Sequence, residues 1–322
     1  MLSAQTGNIK LAAMLKEKGL EAHPDKTCYI ICGSKRFKER AENDLRVNPL
    51  VFGTFPVKQR VSDKYLGQVI HSGGVESSAT ATVQERTGRI RGATMEIKSI
   101  VEEFQMQSFG GLMAAHDLWE RALIPSLLSG AGTWLGKSKE AIGLCDQLQN
   151  FYWGVILRVP ESCPKVALRS ETNMLGMKWR VWEQKVLLLM RIRNHDQDTL
   201  CRQIYEEGNS KGWPGLANEV SDICSTIDIP DVNEISVPKS VLKKAIMNHH
   251  YGELKKEIAS MKKLDPIKDE DFRETQSYFM DKSIENGRMA FRIRCQMVDN
   301  IPGNFKNKYR KEKEKCRHCD KN

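Results

Sequence analysis

The sequence lacks the patterns that mark several large classes of enzyme and membrane protein. No Gly-x-Ser-x-Gly elbow, HExxH motif or phosphate-binding loop accompanies the candidate nucleophiles and base Ser126, Ser129, Cys163 and His116, so a hydrolase has little support. No apolar run is long enough to span a membrane, and the apolar patch at 11–15 is too short for a secretory signal. The sequence therefore predicts a soluble intracellular protein with no membrane partner.

The cysteine pattern excludes a disulfide framework. Seven of the nine cysteines are scattered singly, and one close pair, Cys316 and Cys319, lies near the end of the chain. This usage indicates reduced thiols inside a cell. The CxxC spacing of the pair is that of half a zinc site, whereas a structural zinc needs four ligands. We therefore interpret the pair as an incomplete metal site, and bound zinc is not expected.

The positive charge is concentrated at the two ends of the chain. The net charge of +9 divides into +5 in residues 1–70, −3 in residues 71–281 and +7 in residues 282–322. Clustered Lys and Arg release counterions when they contact phosphates, which gives a salt-sensitive affinity for nucleic acid. The same charges also suit an ordinary solvated surface, so charge alone leaves both interpretations open.

Residues 1–72 predict a small α+β piece. Residues 5–18 place apolar side chains at helical spacing. The apolar run at 27–32 lies between turn residues and predicts a strand, which a helix at 35–46 and a hairpin over 50–70 would follow.

From residue 76 onward the apolar period is helical. The first helix of this region has an apolar stripe and a basic opposite side. Pro125 is expected to kink the next helix, and Pro160 and Pro164 to bracket a turn. The further predicted helices span residues 109–129, 138–157, 178–194, 199–207, 214–226, 238–263, 269–285 and 286–298. The expected fold is therefore mainly α with a small α+β N-terminal piece.

Two consecutive segments resemble the late palm motifs of reverse transcriptases from non-LTR (LINE-type) retrotransposons. The segment 19–32, with Asp25-Lys26-Thr27 before the apolar strand, resembles motif D of that family. The resemblance implies that Lys26 lies near the phosphates of the incoming nucleotide, as a candidate proton donor to the leaving pyrophosphate. The alternative interpretation of Lys26 is an ordinary turn lysine.

The segment SDKYLG at 62–67 is similar to motif E of the same family. The resemblance implies that Tyr65, Leu66 and Gly67 belong to the primer grip, a hairpin that presents the primer terminus. A glycine there lets backbone approach backbone. Three downstream segments are similar to the helical thumb and post-thumb region of the family: ALIPSLLSGAGTW (122–134), LQNFYWGVILRVPESCPKVAL (148–168) and MLGMKWRVWEQK (174–185).

The resemblance implies a truncated polymerase in four parts. Residues 1–72 would be a palm remnant, 73–207 the thumb and post-thumb region, 208–239 a linker, and 240–322 a basic helical region with the incomplete zinc motif. The family reaction, RNA-directed DNA synthesis, needs paired aspartates that hold two Mg²⁺ ions. In the family these lie upstream of the motifs, so Met1 comes too late to include them, and no Asp-Asp dipeptide occurs. We therefore expect no catalytic residue, no cofactor and no activity from this chain alone.

The expected remaining function is binding of RNA, DNA or an RNA–DNA hybrid. Cationic, apolar and aromatic residues alternate over 288–310, and such segments pair phosphates and stack bases of single strands. A helix with a solvated basic face is the alternative interpretation of this segment. The candidate contacts are Lys64, Arg86, Arg89, Arg91, Arg292, Arg294, Lys306, Lys308 and Arg310.

A second class of function stays open, a stand-alone helical module that binds nucleic acid or protein and has no enzymatic activity. The sequence defines neither the oligomeric state nor the template RNA. An unpaired edge of the small sheet would favour aggregation or pairing with another chain.

Overall fold

The computed structural model describes residues 13–19, 22–53, 55–104, 111–134, 136, 138–211, 215–233, 236–280, 283–295 and 297. The chain is mostly helical with a small sheet region near the N-terminus, which confirms the coarse fold class expected from the sequence. Among the described residues, no helix is both long and apolar enough to cross a membrane.

The strands are short and form three separate pairs. The expected strand at 27–32 is reduced to two residues, and two hairpins replace the single hairpin expected over 50–70. The first hairpin ends at Pro56, which has no N–H to continue a ladder. The parallel pair is β1 (Cys28–Tyr29) with β4 (Lys58–Gln59), and the antiparallel pairs are β2 (Val51–Phe52) with β3 (Phe55–Pro56) and β5 (Ser62–Tyr65) with β6 (Gln68–His71).

Most helices agree with the expected ones to within a few residues. Two of them begin at serine caps, because the hydroxyls of Ser34 and Ser283 accept hydrogen bonds from backbone N–H groups of the first turn. The α-helices are α1 (Lys35–Val47), α2 (Val75–Phe104), α3 (Gly111–Leu118), α4 (Ile124–Leu127), α5 (Lys139–Leu157), α6 (Lys165–Glu171), α7 (Met177–Asn194), α8 (Leu200–Ser210), α9 (Leu216–Thr226), α10 (Lys239–Ala259) and α11 (Ile284–Arg294). Residues 13–17 are also helical.

Two differences from the expected helices have local causes. The prediction of one helix over 269–285 is wrong, because the described residues from 269 to 280 hold a 3₁₀ turn at Ser277–Met280 and no α-helix. Just before it, Asp271 accepts a hydrogen bond from the N–H of Arg273, so the side chain competes with helical pairing. Conversely, the sequence pattern does not predict α6. This helix begins directly after Pro164, whose fixed φ suits a helix start.

A π-helix lies just before Pro125, the residue that is predicted to kink its helix. The five residues before α4, Trp119–Leu123, form a π-helix that separates α3 from α4. A proline inside a helix cannot donate to the carbonyl four residues earlier and crowds it, and a widened turn relieves that crowding.

The described residues group into two compact units, each made of three separate ranges. The first unit takes its residues from 1–90, 124–148 and 177–246. The second unit takes its residues from 91–123, 149–176 and 247–322.

Within the first unit, α7 packs closely on the 3₁₀ turn Ala131–Thr133. A Cβ atom on Gly132 would lie 2.9 Å from the carbonyl oxygen of Gln184, so only glycine permits this approach. Trp134 and Trp179 are buried in the same unit, with 2% and 3% of their surfaces exposed.

The second unit is built around aromatic side chains. Trp119 stacks on Tyr152 with ring centroids 4.6 Å apart, and Trp153 meets Phe279 edge to face at 5.8 Å. The hydroxyl of Tyr152 donates to the carbonyl of Ala115 at 2.5 Å, so the buried ring also satisfies its polar end. These contacts join α3 and α5 to the 3₁₀ turn at 277–280.

Candidate nucleic-acid interface

The hairpin of β5 and β6 closes with a tight two-residue turn that exposes its side chains. Tyr65 pairs with Gln68, and the two turn residues, Leu66 and Gly67, have φ angles of +48° and +78°. Positive φ at both positions is the type I′ geometry, which matches the twist of the strands. Leu66 is 85% exposed and Tyr65 65% exposed, so the turn presents two large side chains to solvent.

Helix α2 lies along the outer edge of β6. In a hairpin with this turn, the N–H groups of Val69 and His71 point away from β5. The N–H of Val69 donates to Thr82 Oγ1 at 2.8 Å, and the N–H of His71 donates to Ser78 Oγ at 2.9 Å. Hydroxyls of a helix therefore satisfy the donors that an additional strand would otherwise take. The edge of β6 is thus covered by α2.

Arg86 continues this row of contacts one helical turn further. Its Nη2 donates to the carbonyl of Gly67 at 2.6 Å, and its Nη1 donates to the carbonyls of Leu127 and Ser129 at 2.7 and 2.9 Å. Arg86 is only 3% exposed, and burial lowers the pKa of its guanidinium, which stays charged at physiological pH. The buried side chain of Arg86 thus joins α2 to the turn and to residues 127–129 at the end of α4.

Ser78, Thr82 and Arg86 are spaced four residues apart and contact positions 71, 69 and 67, spaced two apart. Four helical residues rise by about 6 Å, and two strand residues by about 6.6 Å. The two spacings match closely enough for three successive contacts between helix and strand. We call these three side chains the α2 ladder.

Gly130 belongs to the same arrangement. The side-chain Nε2 of Gln68 donates to the carbonyl of Ser129 at 2.5 Å, and a Cβ on Gly130 would lie 2.5 Å from that nitrogen. Gly130 also has a φ of +75°, which disfavours other residues. The SGAG part of the segment 122–134 therefore serves a close approach to the hairpin.

A second set of contacts ties the β5–β6 hairpin to the turn that carries Lys26. Arg60 donates to Asp63 at 3.0 Å and to the carbonyl of Asp25 at 2.8 Å. The thiol of Cys28 donates to Asp63 at 2.9 Å. This thiol hydrogen bond is the main reason that the pKa of Asp63 lies below its ordinary value. Lys26 itself is exposed, in the turn that precedes β1.

Two exposed cations lie beside the hairpin and share one carboxylate. Lys64 and Arg89 contact Glu85 at 2.8 and 3.0 Å, with 48% and 64% of their side chains exposed. The hydrogen bond from Lys64 lowers the pKa of Glu85. The trio carries a net positive charge and includes Lys64, the residue that precedes the exposed Tyr65 in β5.

Three of the arginines expected to contact nucleic acid have structural partners. Arg86 holds the turn through its buried guanidinium, so its role differs from the expected contact with a ligand. Arg292 donates to the carbonyl of Arg158. Arg294 pairs with Glu171, which is fully buried, at 2.8 Å. These three guanidinium groups contact carbonyls and carboxylates of the chain itself, and the contact of Arg292 lies at an exposed place.

The remaining expected contacts are exposed or lie outside the described residues. Arg91 is exposed and lies 5.4 Å from the ring centre of Phe151. Lys306, Lys308 and Arg310 and the pair Cys316 and Cys319 lie outside the described residues. Within the part of the chain that the structure describes, no group of three or more His, Cys, Asp or Glu side chains forms a metal site.

The sequence carries a signal for the α2 ladder that its arginines obscure. Polar side chains at 78, 82 and 86 follow a helical period on the same helix as the apolar core positions. This spacing places the three side chains on one face of the helix. By its charge, Arg86 resembles Arg89 and Arg91. Charge alone therefore does not predict that Arg86 belongs to the α2 ladder.

Comparisons with known proteins give no match: no protein-family model, no curated protein and no solved structure matches the chain.

Proposed function

We propose that this chain is the trailing part of a non-LTR retrotransposon reverse transcriptase, and that it binds RNA, DNA or an RNA–DNA hybrid inside the cell. In this proposal, the region near the N-terminus corresponds to the end of the palm, and α2 begins the thumb. One observation carries the proposal: the turn at Tyr65-Leu66-Gly67 is exposed at its side chains while Arg86 fixes its backbone.

A fixed backbone with exposed side chains is what an element that positions a nucleic-acid strand requires. A primer end must be held in a defined place, so the backbone that holds it has to be stiff. The α2 ladder supplies this stiffness through hydrogen bonds of 2.6 to 2.9 Å. Tyr65 supplies a ring for stacking on a base, and Lys64 a charge for a phosphate.

Leu66 adds support from backbone strain. A non-glycine residue at φ +48° is uncommon. Burial of the leucine side chain does not offset this backbone strain, since 85% of its surface is exposed. Local strain of this kind concentrates at binding and catalytic sites. In the proposal, the side chain of Leu66 contacts a nucleic-acid strand.

The proposal assigns binding and positioning to this chain, and no chemical step. Metal-bound carboxylates are the core of the polymerase reaction, and none of the residues of the proposed interface fills that role. Primer extension by the purified chain would therefore contradict this part of the proposal.

The test is an anisotropy titration of a fluorescent RNA–DNA hybrid with the full chain at two salt concentrations. Between about 50 and about 200 mM salt, we expect the affinity to fall by roughly tenfold or more, because phosphate contacts release counterions. A neutral labelled peptide nucleic acid of the same base sequence is the matched control and should bind weakly at both concentrations. Equal affinity for the hybrid at both concentrations would rule out a phosphate-dominated interface.

A stand-alone interaction module is the second candidate, and the internal pairing of Arg86, Arg292 and Arg294 favours it. Those contacts reduce the positive charge available to phosphates. If this module binds protein, the titration would detect no binding of the hybrid even at low salt.

A further inference from the structure

A small polar cavity lies within the first unit, where the end of α7 meets α8. Its volume is about 130 Å³. Sites for drug-sized ligands measure roughly 300–1,000 Å³, so this cavity suits a more compact ligand. All of the residues that line it belong to one compact unit. They are Met190, Arg193, Asn194, Arg202, Val232 and Ser236.

Arg193 is held at the cavity by a single nitrogen of its guanidinium group. Its Nη1 donates to the carbonyl of Val232. Among the described residues, no acceptor pairs with Nε or Nη2 of Arg193, and no carboxylate forms an ion pair with it. Neither nitrogen is a buried atom without a partner, so solvent reaches both. Arg193 therefore offers a ligand a positive charge and accessible N–H donors.

A backbone contact brings a second guanidinium group to the same cavity. Nη1 of Arg202 donates to the carbonyl of Arg193 at 2.9 Å, and its Nε donates to Glu206 at 2.6 Å. Only 20% of the Arg202 side chain is exposed. Its Nη2 has no partner in the part of the chain that the structure describes. Two cations thus line one cavity, and a bound anion would offset their repulsion.

Two neutral side chains add further donors to the lining. The amide of Asn194 and the hydroxyl of Ser236 are exposed and form no side-chain hydrogen bond with another described residue. An amide and a hydroxyl can each donate to an oxygen. None of the described lining residues is a carboxylate. The lining therefore combines positive charge with several donors.

We propose that this cavity binds a phosphate group, whose oxygens accept N–H groups of Arg193 and Arg202. The planar guanidinium group pairs its N–H groups with two oxygens of a phosphate, and two arginines can hold different oxygens of one tetrahedral group. The phosphate is either the free ion or the terminal group of a nucleic-acid strand, since both present the same oxygens. The inference does not rest on the proposed nucleic-acid function.

The first test is calorimetry of the full chain with inorganic phosphate at constant ionic strength. We expect saturable binding of one phosphate per chain, and an affinity lower by about tenfold or more in R193Q, because a charged donor is lost. The matched control is R191Q, which removes the same charge from an exposed residue of α7 outside the cavity lining. R191Q should keep the affinity of the natural chain. Absence of saturable binding, or equal losses in the two variants, would overturn the proposal.

A second pair of variants should increase the affinity selectively. Glu206 competes with phosphate for Nε of Arg202, so E206Q should bind phosphate severalfold more tightly. Glu207 pairs instead with Lys211 along α8, so E207Q changes the net charge equally but should alter the affinity little. An equal gain in E206Q and E207Q would assign the effect to net charge and contradict a site in this cavity.

A competition measurement needs only the natural chain. Guanidinium groups donate and do not accept, so sulfate, which is also tetrahedral, should displace phosphate. Acetate at the same ionic strength should not, and equal displacement by acetate and sulfate would also overturn the proposal.

The source of the phosphate is identified with a short oligothymidylate that carries either a 5′-phosphate or a 5′-hydroxyl group. Tighter binding of the phosphorylated strand by the natural chain, with no such preference in R193Q, assigns the cavity to a strand end. Equal binding of the two strands, together with saturable binding of inorganic phosphate, assigns it to the free ion. If neither inorganic phosphate nor the 5′-phosphate contributes to binding, the proposal is wrong.

Discussion

The Nη2 atom of Arg86 donates a hydrogen bond to the backbone oxygen of Gly67 across 2.6 Å. Arg86 lies inside a helix, and Gly67 lies at the tip of a hairpin nineteen residues earlier. The guanidinium group of Arg86 is buried and donates to three carbonyl oxygens, so water does not screen its charge. These hydrogen bonds fix the position of the turn. The side chains of the turn remain free to contact a partner.

The α2 ladder predicts a specific effect of the substitution T82V. Valine has nearly the shape of threonine but no oxygen, so the N–H of Val69 would lose its acceptor in a buried place. We expect a loss of about 1–3 kcal/mol in the free energy of unfolding, measured with urea. The amide of Val69 should also exchange with solvent much faster.

The matched control for T82V is T87V on the same helix. The hydroxyl of Thr87 donates only to the carbonyl of Val83, four residues earlier in its own helix. Its removal should change stability by less than about 0.5 kcal/mol. Equal effects of the two substitutions would show that the hydroxyl of Thr82 does not hold β6.

G130A should destabilise the chain. The added methyl group would lie 2.5 Å from Nε2 of Gln68, and alanine would have to adopt a φ of +75°. We expect a loss of about 2 kcal/mol or more in thermal or urea unfolding. Gly88 is an exposed residue in the middle of α2, and a methyl group added there would meet nothing within 4 Å, so G88A should instead stabilise by about 0.5–1 kcal/mol.

The substitution L66N should raise the stability of the chain and weaken its binding of nucleic acid. Asparagine tolerates positive φ and Asn-Gly is the preferred pair in type I′ turns, so the substitution should raise the free energy of unfolding by about 1 kcal/mol. Under the proposed function, the same change removes an exposed apolar contact and should weaken binding of an RNA–DNA hybrid severalfold. A variant that gains stability and keeps full affinity would show that the strain at Leu66 does not serve binding.

The fold class and most helices could be predicted because they depend on local patterns. The helical period predicts α5, α7 and α9 to within about three residues. These are features that neighbouring residues decide by themselves. The two hairpins could not be predicted in this way, because the sequence pattern predicts a single hairpin over 50–70.

The contacts of Arg86 and Gly130 could not be predicted in the same way. Arg86 reaches acceptors 19 and 41 to 43 residues away, and Gly130 approaches a side chain 62 positions earlier. Long-range packing decides whether an arginine is exposed or buried, and helical spacing does not. For the same reason, the sequence predicts that Arg294 is available to nucleic acid, whereas in the structure its guanidinium group pairs with the buried carboxylate of Glu171.

The second unit should lose stability in acid through Glu102. Burial raises the pKa of this carboxyl group, but hydrogen bonds from Arg288 and Arg158 outweigh that effect, so the pKa lies below its ordinary value of 4.5. Because the folded pKa is lower than the unfolded one, the stabilisation is present above about pH 4.5 and is lost as the pH falls through the folded pKa.

The substitution E102Q tests this dependence. It should cost about 1–3 kcal/mol at pH 7, because Arg288 is buried and loses a charged partner, and it should flatten the decline of stability between about pH 5 and pH 3. The exposed neighbour Glu103 provides the control E103Q, which should leave both the stability at pH 7 and the slope unchanged. Parallel acid-unfolding curves for the natural chain and E102Q would contradict this account.

The central claim is that the fixed turn after β5 presents Tyr65 to a nucleic-acid strand. Its most direct test is the affinity of Y65A for an RNA–DNA hybrid, beside that of F37A, which removes an exposed aromatic ring from α1. Loss of one stacked base predicts an affinity roughly tenfold lower for Y65A and unchanged for F37A. An unchanged affinity in folded Y65A, or an equal loss in both variants, would contradict the claim.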